Sequence, residues 1–283
     1  MGIELAKKYL PYVDEIFTKE SKKSLVTNND FKFTGAHEVF IYKVGTSEMN
    51  DYGRTDTQSG NWSRYGKVET LDATTESFTM KKDRSFTFVI DALDSDETGG
   101  NLAGATALAR QTREVVVPEV DAYTYSVMAN CAGTKPEGKA LNATNIYDEI
   151  LTASKVLDDE LVPEENRVLI VTPDTYQLMK KSKSVVMDTE VGADMRKKGV
   201  IGNLDGATVI KIPAARLPEN FGFMLCHPCA TVAPTKLEDY NTHVNPPGIN
   251  GTLVEGRIVY DAFVLDNKKT AIYYQSLPAA TTA

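Results

Sequence analysis

Residues Gly45 to Gly66 carry glycine at 45, 53, 60 and 66, many Ser, Thr, Asn and Asp, and only Tyr52, Trp62 and Tyr65 as aromatic anchors. A stretch this poor in apolar side chains cannot bury enough surface to offset the entropy of ordering itself. Yet it is bracketed by strand-like sequence: His37–Val44 (HEVFIYKV) before it, and Val68–Met80 and Ser85–Ile90 after it. The chain must therefore fold as a body with a long, weakly self-stabilised excursion. Phe78, Met80, Phe86, Phe88 and Ile90 alternate around the polar Lys81-Lys82-Asp83-Arg84, which predicts a long β-hairpin around that turn. A hairpin alone is marginal in water, so this one is expected to lean on its own domain at the base and on a partner further out.

The rest of the chain supplies the body. Ile3, Tyr9, Leu10, Val13, Ile16 and Phe17 recur at helical steps up to about Ser24, interrupted near Pro11, which reads as an amphipathic arm docking on another surface. Asp94–Thr98 is expected to open a helix, and Asn101 to about Ala132 keeps helical spacing through Leu102, Leu108, Val116, Val120, Tyr123 and Val127. Continuous, that helix would be about 45 Å long; Pro118 predicts a kink or break in it. Gly133–Gly138 (GTKPEG) reads as the clearest linker. Beyond it come a helix over Asn145–Leu161, with Thr144 or Asn145 as cap and Pro163 as stop, then a buried strand RVLIVT (Arg167–Thr172) and a short helix from Pro173 to Lys181. Strands at Ala207–Ile212 and Phe221–Cys226 complete a compact α/β unit. Gly256–Leu265 and Thr270–Gln275 are expected to pair as a hairpin returning to the first domain, so that the α/β unit is an insertion in an α+β protein.

Composition excludes several functions. Apolar residues are 42% and charged residues 25% of the 283, ordinary globular usage. Lys and Arg number 31 against 39 Asp and Glu, a net charge of −8, the wrong sign for wrapping nucleic acid. Apolar runs such as Val168–Val171 reach four residues where a bilayer span needs about 20. The N-terminus lacks the apolar core of a secretory signal, and three cysteines suit a reducing compartment, so synthesis and retention in the cytoplasm of the producing cell is expected.

Chemistry-bearing motifs are sparse. Cys226-His227-Pro228-Cys229 with His243 resembles half of a zinc site, but no second matched pair exists, and the sequence after it reads as extended rather than as the helix that would activate a thiol. Asp94, Asp96, Thr98 and Gly99 resemble the start of a calcium loop whose twelfth place, Ala105, lacks the required carboxylate. No phosphate-binding loop, dinucleotide fingerprint or nucleophile elbow occurs, and three histidines leave little acid–base machinery. The reading is therefore of no enzyme, no cofactor and no metal. Charge is patterned instead. Ile146–Glu165 holds seven acids, among them Asp158, Asp159 and Glu160, against Lys155; Leu178–Lys198 holds Lys180, Lys181 and four further cations against three acids. These are either two solvated faces or the complementary faces of successive copies around a ring.

The order of arm, long excursion, long helix, α/β insertion and closing strands resembles the major capsid proteins of tailed bacteriophages, the Hong Kong 97 fold. KKDRSFTFVIDALDSDET (Lys81–Thr98) followed by RQTREVVVPEVDAYTYSVMA (Arg110–Ala129) is similar to coat proteins of phages of Gram-positive bacteria. The resemblance implies an N-arm over 1–36, a peripheral domain over 37–139 with an extended loop at about 45–91 and a spine helix at about 98–132. It further implies an axial domain over 140–250, and a return to the peripheral domain with a C-terminal tail over 251–283. It implies a subunit forming pentamers and hexamers of an icosahedral shell, located in the virion and made in the host bacterial cytoplasm. Double-stranded DNA would be enclosed and touched only weakly, a separate scaffolding protein and a portal would be partners, and no membrane would be involved. Arg54, Trp62 and Tyr65 are the expected contacts to an adjacent subunit, with Lys180 and Lys181 of one copy facing Asp158, Asp159 and Glu160 of the next. Lys67, Lys81 and Lys82 are present, but no buried acid identifies a cross-linking site. The rival readings are an encapsulin-type nanocompartment shell and a thiol- or metal-dependent enzyme using Cys226 and Cys229.

Overall fold

The computed structural model describes residues 21–28, 38–55, 62–70, 73–97, 104–182 and 200–279. The expected N-terminal helix lies outside the described residues up to position 20, as do Thr98 and Gly99 of the calcium-like run and the cations at 183 and 196–198. The chain divides into two compact units, Phe33–Met80 and the remainder.

In the larger unit the main core is built on a five-stranded sheet of order β12-β7-β4-β6-β5, where β4 is Val168–Val171, β5 Val200–Leu204, β6 Ala207–Lys211, β7 Phe221–Cys226 and β12 Ile272–Ser276. β4 runs parallel to β6; the other neighbours are antiparallel. The sequences VLIV and FGFMLC are buried at every position, as befits central strands covered on both faces. Helix α4 (Ile146–Asp159) adds Ile146, Ile150, Ala153 and Leu157, one stripe at three- and four-residue steps. Helix α5 (Pro173–Lys181) starts from a Thr172 cap whose hydroxyl accepts the Thr175 N–H.

A second layer is the three-stranded sheet β3-β10-β9, made of Lys82–Asp91, Gly251–Tyr260 and Thr235–Val244. Ile258 and Tyr260 of β10, with Phe86 of β3, pack on Val116 and Val120 of the long helical segment. That segment comprises α2 (Gly104–Gln111), a π turn over Thr112–Val116 and α3 (Val117–Cys131). The predicted interruption thus falls one turn before Pro118. Pro118 is the second residue of α3, directly after the π turn, in which the Val117 N–H donates to the Thr112 carbonyl five residues back.

Four sequence expectations are corrected. Residues 68–80 and 85–90 do not pair with each other: β2 (Ala73–Thr79) pairs with β1 (Glu38–Val44), and β3 pairs with β10. Lys81–Arg84 lacks the left-handed backbone that a tight hairpin turn requires, and the strand already begins at Lys82. The closing hairpin around Asp266–Lys269 is likewise absent: β12 joins β7, β10 joins β3 and β9, and Asp266–Ala271 is a 3-10 turn between them. Helix α1 (Ala92–Glu97) starts two residues earlier than expected, where the Asp91 carboxylate accepts the Leu93 N–H, and Asp94 lies in its first turn. GTKPEG is no loose linker: Gly133 N–H donates to the Lys269 carbonyl at 2.9 Å, and Thr134 bridges to β12, as Tyr274 N–H returns a bond to its carbonyl.

Candidate assembly surfaces

In the unit Phe33–Met80 the two-stranded ribbon β1–β2 turns Phe40 and Tyr42 to one side, opposite Ser77 and Thr75. Phe40 is 58% and Tyr42 74% exposed, while Ile41 and the Lys43–Glu76 ion pair (3.3 Å) occupy the alternate positions. Beyond the ribbon, two limbs of the glycine-rich stretch are tied together. Gly53 N–H donates to the Arg64 carbonyl at 2.8 Å, and the Tyr52 and Tyr65 rings meet edge-on at 5.1 Å. Gly66 sits at φ 89° with the Asn50 side chain where a Cβ would project, so both its backbone and its bareness are required. Arg54, Trp62 and Tyr65 are all exposed, Trp62 at 84% and Tyr65 at 77%. The structure thus brings two limbs of the predicted contact region together and adds Phe40 and Tyr42. These could have been read from EVFIYKV, because a two-stranded ribbon with apolar residues on both faces leaves one face uncovered.

The predicted charged residues fall in two places within the larger unit. Asp158, Asp159 and Glu160 occupy the carboxyl end of α4, where the helix dipole disfavours acids. Arg167, its side chain 5% exposed, pairs with Asp158 at 2.7 Å and donates to the Val162 and Pro163 carbonyls, closing the turn after the helix. Asn145 stands at the amino-terminal cap of α4, one of the two expected residues, but its side chain makes no capping bond; the Asn142 side-chain oxygen accepts the Thr144 and Asn145 N–H groups. Helix α4 also stops before Pro163, with Leu161 in a left-handed conformation. Lys180 and Lys181 end α5, where cations suit the dipole; Lys180 lies over the Tyr176 ring at 5.6 Å.

Two buried clusters complete the inventory. Asp121, 2% exposed on α3, accepts from Ser21 Oγ at 2.6 Å and pairs with Arg216 at 2.9 Å. Burial raises its carboxyl above the ordinary value although both partners oppose the shift, and burial lowers the neighbouring Lys23. Val26 is fully buried in the main core, and Asn28 N–H donates to the Thr231 carbonyl. Residues 21–28, expected to belong to an arm poor in intrachain contacts, are therefore anchored in their own chain; no pattern in the sequence marks a buried Asp–Arg pair 95 residues apart. In the second cluster Cys226 is wholly buried, its thiol raised to about 12, and burial also raises Cys229, while His227 Nδ1 accepts the Cys229 N–H. Thiols held protonated by burial are the reverse of what a nucleophile needs.

The mixed α+β architecture matches the fold of solved phage capsid structures. A chain from Mycobacterium phage Che8 superposes with a TM-score of 0.75, covering 97% of this chain and 98% of that one at 19% identity. The capsid structure of the cyanophage P-SCSP1u gives 0.73 over 97% and 93% at 12% identity, and the mature capsid of bacteriophage PhiM1 gives 0.70 over 100% and 93% at 14%. At these identities the likeness is one of fold. No family model and no curated protein sequence matches the chain.

Proposed function

We propose that this chain is a major capsid protein, a structural subunit that self-assembles into the icosahedral shell of a tailed phage and resides in the virion. The observation that carries the reading is the superposition on chains of phage capsid structures along nearly the whole length of both partners. In this reading residues 1–36 form the N-arm, about 45–91 the extended loop, about 98–132 the spine helix of a peripheral domain, and 140–250 an axial domain grouped about five- and six-fold centres. Arg54, Trp62 and Tyr65 contact an adjacent subunit. The acidic end of α4 in one copy faces Lys180 and Lys181 in the next. Each contact is modest, and the shell gains stability because one subunit meets several neighbours at once. A net charge of −8 suits a wall that encloses DNA without gripping it, assembled with a separate scaffolding protein and joined to a portal.

The test is expression of the chain, alone and with neighbouring phage genes, followed by negative-stain microscopy, alongside a deletion of residues 50–66. Intact chain is expected to give closed shells and the deletion a folded monomer; shells of normal form from the deletion would refute the loop contact.

A further inference from the structure

Helix α4 closes through a paired set of backbone bonds: Val162 N–H donates to the Leu157 carbonyl at 3.0 Å, and Leu161 N–H to the Asp158 carbonyl at 2.9 Å. This closure demands a left-handed residue at position 161, where glycine is usual because it has no Cβ to crowd the backbone. Leu161 occupies the place at φ 56°, and it is 90% exposed. Both properties oppose the stability of an isolated chain: glycine would relieve the backbone, and a polar residue would remove hydrocarbon from water. Asp159 and Glu160 precede Leu161 directly, and Glu164 and Glu165 follow, all exposed, so the aliphatic knob has an anionic rim.

A patch of opposite character lies at the other end of the parallel pair β4 and β6. Leu161 comes before β4 begins, whereas Tyr176 follows its end and Lys211 is the last residue of β6. The half-buried Tyr176 ring has the Lys180 ammonium 5.6 Å and the Lys211 ammonium 5.2 Å from its centre. An aromatic surface with a cationic rim complements an aliphatic knob with an anionic one. Because the two patches sit at opposite ends of the same strands, they suit a head-to-tail contact between copies, the kind that closes into a ring.

We infer that Leu161 is the central apolar contact between neighbouring copies, seated on Tyr176 of the next copy between its Lys180 and Lys211. The inference rests on the shell-subunit reading and adds the residues through which each ring of subunits closes.

Sedimentation across a concentration series, with thermal melting of the dissociated chain, tests it. Leu161→Gly is expected to raise the melting temperature of the isolated chain by about 2–4 °C while raising the concentration needed for assembly by roughly tenfold. Lys180→Glu is expected to weaken assembly alone and to recover it when combined with Glu160→Lys. Leu161→Gly chains that assemble at the wild-type concentration would overturn the contact and leave the shell reading standing. A wild-type chain that stays monomeric throughout, both alone and co-expressed with the neighbouring phage genes, would overturn both.

Discussion

Asp121 joins three stretches far apart in sequence: Ser21 at the start of the described chain, α3, and the 3-10 turn Ala214–Arg216. The groups acting on it are Ser21, Lys23 and Arg216; Tyr125, buried nearby, is held protonated by the same environment. Burial raises the Asp121 carboxyl, so the folded chain holds its proton to higher pH than the unfolded chain does. Its contribution to stability is full below the ordinary carboxylate range and falls as pH rises through the raised value. Arg216 limits that loss, and removing it strands a buried charge. Arg216→Met is therefore expected to cost about 3–5 kcal/mol at neutral pH. It should cost less near pH 4, about the ordinary Asp value, where Asp121 takes up a proton. Urea unfolding at the two pH values checks this; an equal cost at both would mean that Asp121 is not the group left uncompensated.

Between elements, the docking of α3 on the three-stranded sheet rests on a small satellite core. Ile258, 6% exposed, packs in one cluster with Val116, Val120 and Tyr260, so Ile258→Ala is expected to destabilise by about 2–5 kcal/mol, read as a lower denaturant midpoint at unchanged slope. Elements of this kind were largely legible in the sequence, and their pairing was not. The Ile146, Ile150, Ala153, Leu157 stripe and the runs VLIV and FGFMLC announce their own type, because burial imposes a period or a continuous apolar run on one segment. Partner choice leaves no such local trace. Ser85–Ile90 alternates as a strand whether it pairs with residues 73–79 or with β10, and only the absence of turn residues at Lys81–Arg84 argued against the nearer partner. The candidate surfaces divide in the same way. Trp62 and Tyr65 stand out in a glycine-rich run, whereas Leu161 looks like one more apolar residue of α4 until its left-handed backbone and its exposure are known.

At the scale of the molecule, the described residues of the unit Phe33–Met80 form a two-stranded ribbon and a tied loop carrying exposed Phe40, Tyr42, Tyr52, Trp62 and Tyr65. Single exposed apolar residues are ordinary on a protein surface, but five aromatic rings in one such unit exceed what the unit's own folding can use. Aromatic side chains are also the residues that dominate association when they are desolvated against a partner. The two roles separate cleanly in a double substitution, Trp62→Ala with Tyr65→Ala. Removing rings that are 84% and 77% exposed is expected to change the stability of the dissociated chain little, with each exposed site contributing about 0.5 kcal/mol or less, and the Tyr52–Tyr65 edge contact adding roughly 0.5–1.5 kcal/mol. Assembly, followed by light scattering, is expected to fail because the same rings recur at every copy and their loss is multiplied around the shell. Shells forming at the wild-type rate would remove both residues from the contact. A collapse of the dissociated chain's own stability would instead assign the rings to its internal packing.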